Sequence, residues 1–275
     1  MTKPLLSPTN DYVFKRLFTE HPRLLRHFLL CVRHWHEDDL RGLVITDPTF
    51  RAHKEHDKLP VLDIKMRTTS GISIDMEVQQ AFHDFFEPRM AYYTARMYVD
   101  RLQSGDSYGK LKPAISIVVT QFSFIKNTAC HNCFHLYDEK TRTAYPLCLE
   151  IHTLEIPKRL QNFDDPLQLW LHFFAARTEE EFMSLAKIDP IMDEGVTVIR
   201  ELSADEEARW IADIKEKQRR DLDAFYQTGR LQGRNEGAEN RSRDIAKRML
   251  DGGVPLAQIA TYTDLTVEQL RELMH

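Results

Sequence analysis

LPVLDIKMR (59–67), TTSG (68–71) and ISIDMEVQQ (72–80) decide the fold. Both outer segments alternate apolar and polar residues, the period of a strand with one face buried. TTSG has the composition of a turn, so the three pieces read as a β-hairpin. Leu62, Ile64 and Met66 share one side of the first strand; Asp63, Lys65 and Arg67 share the other. On the second strand Ile72, Ile74, Met76 and Val78 face the core, while Ser73, Asp75, Glu77 and Gln79 face away. Directly opposed residues of an antiparallel pair lie on one face, so opposed residue numbers must add to an even total. A total of 140 sets Asp63 against Glu77 across a five-residue loop; a total of 138 sets Asp63 against Asp75 across a three-residue loop. In both registers several carboxylates gather on one polar face. Asp and Glu are depleted in strands, and such a cluster repels itself unless something cationic compensates. Mg²⁺ prefers carboxylate oxygens and keeps several waters. An Asp on one strand and Glu-x-Gln on its partner are therefore candidate metal ligands. The competing expectation is a plain solvated strand face.

Upstream, Asn10 or Asp11 can cap a helix. Val13, Phe14, Leu17, Phe18, Leu24, Leu25, Phe28 and Leu29 follow at helical spacing, with Pro22 positioned to split them into two helices. Leu43–Phe50 reads as a short strand interrupted by Pro48. Downstream, Phe85–Ser104 reads as a helix ended by Gly105, with Met90, Tyr93, Met97 and Leu102 on one side and Arg89 and Arg96 on a common face. AISIVVTQF (114–122) has the β-branched run of a buried central strand. Phe134–Asp138 and Ala144–His152 suggest a second hairpin. The order is helix, strand, strand, strand, helix, strand. From Asp165 the pattern is helical: Pro166–Ala176, Glu179–Lys187, Met192–Leu202 and Glu206–Phe225. Gly229, Gly233 and Gly237 then recur among charged residues, predicting a marginal helix or hinge. Three short tail helices follow, Asp244–Leu250, Pro255–Tyr262 and Thr266–Met274. The expected division is a core over 1–160, a helical extension over 161–226, a Gly-spaced charged hinge over 227–242 and a small helical tail over 243–275.

The 275 residues carry 37 Lys and Arg against 42 Asp and Glu, a net charge of −5. An acidic total argues against a nucleic-acid binder, which usually carries basic excess. The charge is uneven, however. Residues 1–125 hold 17 basic and 15 acidic residues; residues 126–275 hold 20 and 27. The acidity belongs to the back half, and the front half remains compatible with DNA. No apolar run reaches the ~18 residues of a membrane span. The N-terminus lacks the apolar core of a signal peptide, and four cysteines are too few for a disulfide scaffold. A cytoplasmic protein is expected. Phosphate-loop, dinucleotide and nucleophile-elbow motifs are absent. Cys130-His-Asn-Cys133, with His131, His135 and Cys148 nearby, supplies only half of a zinc pattern, and these residues are expected in the core or on the surface. Pro255–Met274 has helix-turn-helix proportions, but Glu268 and Glu272 on its last helix favour oligomerisation or regulation over base reading.

TNDYVFKRLF (9–18), a strand bearing an Asp, IDMEVQ, FEPRMAYYTARMYVDRLQSGDSY, LKPAISIVVTQF and IAKRMLDGGVPLAQIATYTDLTVEQLREL together resemble the PD-(D/E)xK nuclease-family transposases, also called recombination-promoting nucleases. The resemblance covers nearly the whole chain. It implies an α/β protein with a restriction-endonuclease-like αβββαβ core, a mixed sheet flanked by helices, followed by a helical C-terminal region. It implies a Mg²⁺-dependent DNA endonuclease, with Mn²⁺ as a substitute, associated with recombination or a mobile element. By the family pattern Asp63 and Glu77 hold the metal, and Gln79 stands where the wider superfamily has Lys. Gln orients a water but adds no charge; Lys65, Arg89 or Arg96 supplies it from nearby. Asp11 and Lys15 match a family motif near the site and are expected on the substrate side. DNA is the implied partner, and the helical C-terminal region the implied route to a homo-oligomer. The missing Lys motivates the alternative, a catalytically inactive nuclease fold that binds DNA or assembles.

Overall fold

The structure, a computed structural model, describes residues 4–33, 35–46, 64–145 and 149–274. Asn10 caps the first helix, α1 (Asp11–Thr19), accepting from the N–H groups of Tyr12 and Val13. Pro22 begins α2 (Pro22–Arg33), where a missing N–H costs nothing, so the split expected from this proline is observed. Three strands follow: β1 (Val44–Thr46), β2 (Ile64–Arg67) and β3 (Ser73–Gln79). Then come α3 (Phe86–Val99), β4 (Ala114–Thr120), β5 (His131–Phe134) and β6 (Leu149–Glu155). Among the described residues these strands form one mixed sheet in the order β1-β2-β3-β4-β6-β5. The β3, β4 and β6 strands run parallel, and the outer pairings are antiparallel. This is the expected mixed sheet flanked by helices.

The hairpin adopts the register that totals 140, pairing Ile64 with Met76, Lys65 with Asp75 and Arg67 with Ser73. Its five-residue loop turns at Gly71, whose φ of +93° suits a residue without Cβ. A Cβ there would also press on the Lys112 and Arg101 side chains.

Strand alternation assigns the two faces. Ile64, Met66, Ile74, Met76, Val78, Ile115, Ile117, Val119 and Leu154 enter the main core beneath α1 and α2. That core is dense in aromatics: Phe18 lies 5.0 Å from Phe14, 5.3 Å from Phe28 and 5.6 Å from Trp170 between ring centroids. The other face is covered by α3, through Phe86 and Met90 on Val118 and Met97 on Ala114.

Two expected elements are shifted. The α3 helix ends at Val99, not Ser104, because Arg101 turns away to donate to the Gly71 carbonyl and to Ser73 Oγ. The second hairpin pairs His131–Phe134 with β6, ahead of the expected Phe134–Asp138. Leu136 and Tyr137 are exposed, with no buried face to hold a longer ladder, and among the described residues only a Tyr137–Ala144 bridge continues it.

The next helices are α4 (Pro166–Ala175), α5 (Glu179–Ala186), α6 (Pro190–Ala204) and α7 (Glu206–Asp251). Trp170, Phe174, Phe182, Ile199 and Ala212 are buried in the same core as α1 and α2. Residues 1–216 form one compact unit and 217–275 another. The Gly-spaced segment 227–242 is helical throughout, within α7. In the second unit α8 (Leu256–Thr263) and α9 (Val267–Glu272) share a small core of Ala246, Ile259, Leu265 and Leu270. No helix among the described residues is long and apolar enough to cross a membrane.

Candidate active site

Alternation along β3 places Asp75, Glu77 and Gln79 on the face that α3 covers. Asp75 is 1% exposed and Glu77 3%. The expected alternative of a solvated strand face is therefore not what the fold makes of these residues. Lys65 is also buried and stands directly across the hairpin from Asp75. A buried carboxylate requires charge compensation of this kind. Asp63, expected as metal ligand and catalytic residue, lies outside the described residues.

The parallel pairing with β4 sets Asp75 beside Ser116, Glu77 beside Val118 and Gln79 beside Thr120. Helix α3 returns antiparallel above them. Its Thr94 Oγ1 lies 2.8 Å from both the Met90 carbonyl oxygen and Ser116 Oγ, which fixes the helix over the strands. This placement brings Arg89 to the carboxyl end of β3. Arg89 Nη2 donates to Gln79 Oε1 at 3.1 Å, and Gln79 Nε2 donates to Glu77 Oε2 at 3.3 Å. The guanidinium is thus connected to the carboxylate through a neutral amide. The buried Nε of Arg89 makes no hydrogen bond among the described residues.

Arg96 is two turns further along α3 and pairs with Asp100 at 3.9 Å. The structure therefore brings Arg89, not Arg96, to Gln79. At the other side of the strand end, Gln80 Nε2 donates to the Thr9 carbonyl at 2.7 Å, and Gln121 Nε2 donates to Thr9 Oγ1. These bonds tie the start of α1 to the end of β3. Asp11 occupies the first turn of that helix and is exposed; Lys15 is one turn on and exposed.

Two neighbours of the site escaped the sequence reading. Tyr93 counted there as part of an apolar helix side, yet its hydroxyl senses the site. Burial raises its pKa, Arg89 opposes this, and Glu77 and Asp75 add to the rise. The phenol is held protonated and can donate. The second is an aromatic group at the same strand end: Phe86 lies 5.5 Å from Phe122 and 5.1 Å from Phe124 between centroids. Beside it Phe85 is 80% exposed at a φ of +67°, unusual for a bulky residue. The turn between β3 and α3 sets both features, and no periodicity signals it.

The donor set fits a hard divalent cation. Buried carboxylate oxygens at Asp75 and Glu77 share one face with an amide at Gln79, and no sulfur or imidazole is among them. The family model described as PD-(D/E)XK nuclease family transposase matches residues 8–229 of the chain. No curated protein and no solved structure matches it.

Proposed function

Since the chain belongs to the PD-(D/E)XK nuclease transposase family, we propose that it is a divalent-metal-dependent DNA endonuclease acting in recombination or for a mobile element. The observation that supports this reading most is the chain of hydrogen bonds Arg89–Gln79–Glu77 on a buried acidic strand face. Glu77 is assigned as a metal ligand from that face. Asp63 is assigned as the second on the sequence pattern: it precedes Ile64, whose partner Met76 adjoins Glu77. Mg²⁺, or Mn²⁺ in its place, supplies Lewis-acid charge against the phosphodiester and a water of lowered pKa when bound.

The chain's own groups do the rest. Gln79 is held at both ends of its amide, so it orients a water without needing to search rotamers. Arg89, bonded to Gln79 at the carboxyl end of β3, supplies guanidinium charge for a phosphate oxygen. Lys65, across the hairpin from Asp75, is assigned to substitute for part of what the superfamily Lys would supply. Asp11, Lys15 and Arg96 are assigned to the substrate side, where Asp11 and Lys15 are exposed near the tied start of α1. A helical C-terminal region with Leu222, Phe225 and Leu231 exposed on α7 is assigned to self-association. The small number of cysteines supports a cytoplasmic location.

Supercoiled plasmid tests the reading. The purified protein should nick or cut it with Mg²⁺ or Mn²⁺, and EDTA should stop the reaction. Glu77→Ala and Asp63→Ala should each abolish cutting. DNA binding without turnover in the wild type would replace this reading by that of an inactive nuclease fold.

A further inference from the structure

A second set of reactive side chains lies on the opposite face of the sheet. Cys133 on β5 is the register partner of His152 on β6, so both side chains project from one face. Glu150, two residues before His152, shares that face. The Cys133 Sγ, one His152 nitrogen and one Glu150 oxygen all lie within 4.8 Å of one another. Sγ is 3.5 Å from His152 Nε2, and that nitrogen is 3.4 Å from Glu150 Oε2. His135, just past β5, adds its Nε2 at 3.0 Å from Sγ and its Nδ1 at 4.0 Å from Glu150 Oε1.

We propose that Cys133, His135, Glu150 and His152 form a binding site for zinc or a similar borderline divalent cation, separate from the carboxylate site on the other face. Tetrahedral zinc with bonds of about 2.0–2.3 Å holds its ligand atoms roughly 3.3–3.6 Å apart. The Sγ–Nε2 and Nε2–Oε2 separations already have that length. The supporting contacts are also in place. His152 turns its Nδ1 to His131 Nε2 at 3.0 Å, which leaves Nε2 facing Sγ and Glu150. Arg33 grips the Glu150 carboxylate through Nε and Nη2, each at 2.6 Å, which fixes its orientation and tempers its charge. Cys133 and His135 are exposed, so an ion can enter from solvent; Glu150 and His152 are buried and preset. On binding, the Cys133 thiol loses its proton to solvent and the thiolate bonds the metal.

A catalytic cysteine is the competing use of a Cys–His contact. Burial, then the charge of Glu150, raises the Cys133 thiol to about 11, with Arg33 opposing. A nucleophilic cysteine needs the reverse shift. A cysteine-x-x-cysteine site is also not formed. Cys130 is buried and accepts from Gln168 Nε2 at 3.1 Å, away from this group.

Cobalt substitution tests the proposal on the full chain. Metal-stripped protein titrated with Co²⁺ should develop thiolate-to-cobalt charge-transfer absorption with one equivalent, reversed by Zn²⁺. A cation at the Asp63–Glu77 site meets only oxygen and gives no such band, so the two sites are distinguishable, and loss of nuclease activity does not bear on the result. Cys133→Ser should eliminate the band, and Cys130→Ser should leave it intact. His131→Phe should weaken cobalt binding about 10–100-fold while the band survives. Absence of the band in wild type, its persistence in Cys133→Ser, or its loss in Cys130→Ser would overturn the assignment.

Discussion

Gln79 stands where the wider superfamily carries a Lys, and under the proposed function the two jobs of that Lys fall to Gln79 and its neighbours. Its amide is aligned by Arg89 on one side and Glu77 on the other. Arg89 is therefore expected to act both through Gln79 and on phosphate. Arg89→Ala should lower kcat by about 10²-fold, the scale of removing one transition-state donor. Arg89→Lys should recover only part, since a single ammonium cannot hold Gln79 and a phosphate together. Steady-state cleavage rates check both. A different residue sets a pH limit. Trp170 Nε1 donates to His27 Nδ1 at 3.0 Å, so that nitrogen carries no proton in the fold. Burial lowers the His27 pKa, Asp189 resists and Arg23 assists. The unfolded imidazole takes up a proton near about 6.5. Below that value the unfolded chain binds more protons than the folded one, so stability falls as pH drops. His27→Gln keeps an acceptor for Trp170 without titrating. Urea midpoints between about pH 7.5 and 5.5 should therefore fall less in His27→Gln than in wild type.

At the scale of elements, the helix α7 passes through Gly229, Gly233 and Gly237, and a Cβ at each would meet nothing within 4 Å. Ala at these positions should stabilise the helix by about 1 kcal/mol each, seen as a higher melting temperature of the far-ultraviolet signal. The glycines made the segment look like a hinge; the helix-forming residues between them and its great length carry it through. Thr94→Val removes the buried hydroxyl between α3 and Ser116 and should destabilise the chain by about 1–3 kcal/mol in chemical denaturation. How much of the fold was legible follows from the same elements. Alternation in 62–79 sufficed for the hairpin, its two faces and the even-total rule, but the choice of 140 over 138 needs the Gly71 turn. The polar face of β3 read as either metal site or solvated surface, since only the packing of α3 decides its burial. Arg89 and Arg96 were equivalent on a helical wheel; the level at which α3 crosses β3 separates them. Cys133 and His152 lie 19 residues apart, and their contact depends on a register that the weak alternation of 131–138 does not specify.

For the whole molecule, the described members of both candidate sites lie within residues 4–216, and the main core ends at Ala212. A chain ending at Glu216 should fold cooperatively and retain metal-dependent cutting. If α7 beyond that point carries self-association, sedimentation equilibrium should show fewer copies per particle than in the full chain. An unchanged number of copies would remove the C-terminal region from assembly.

Strand β3 gives Ile74, Met76 and Val78 to the core and sets Asp75, Glu77 and Gln79 on the opposite face, in strict alternation. That interleaving constrains how such a gene can change. A point substitution on the acidic side should silence the proposed cleavage while the buried apolar ladder, and so the fold, survives. An inserted or deleted codon between positions 73 and 79 exchanges the two faces at once and drives carboxylates into the aromatic core. Lineages that lose cleavage yet keep a folded protein should therefore differ by substitution at these positions and conserve the length of this strand.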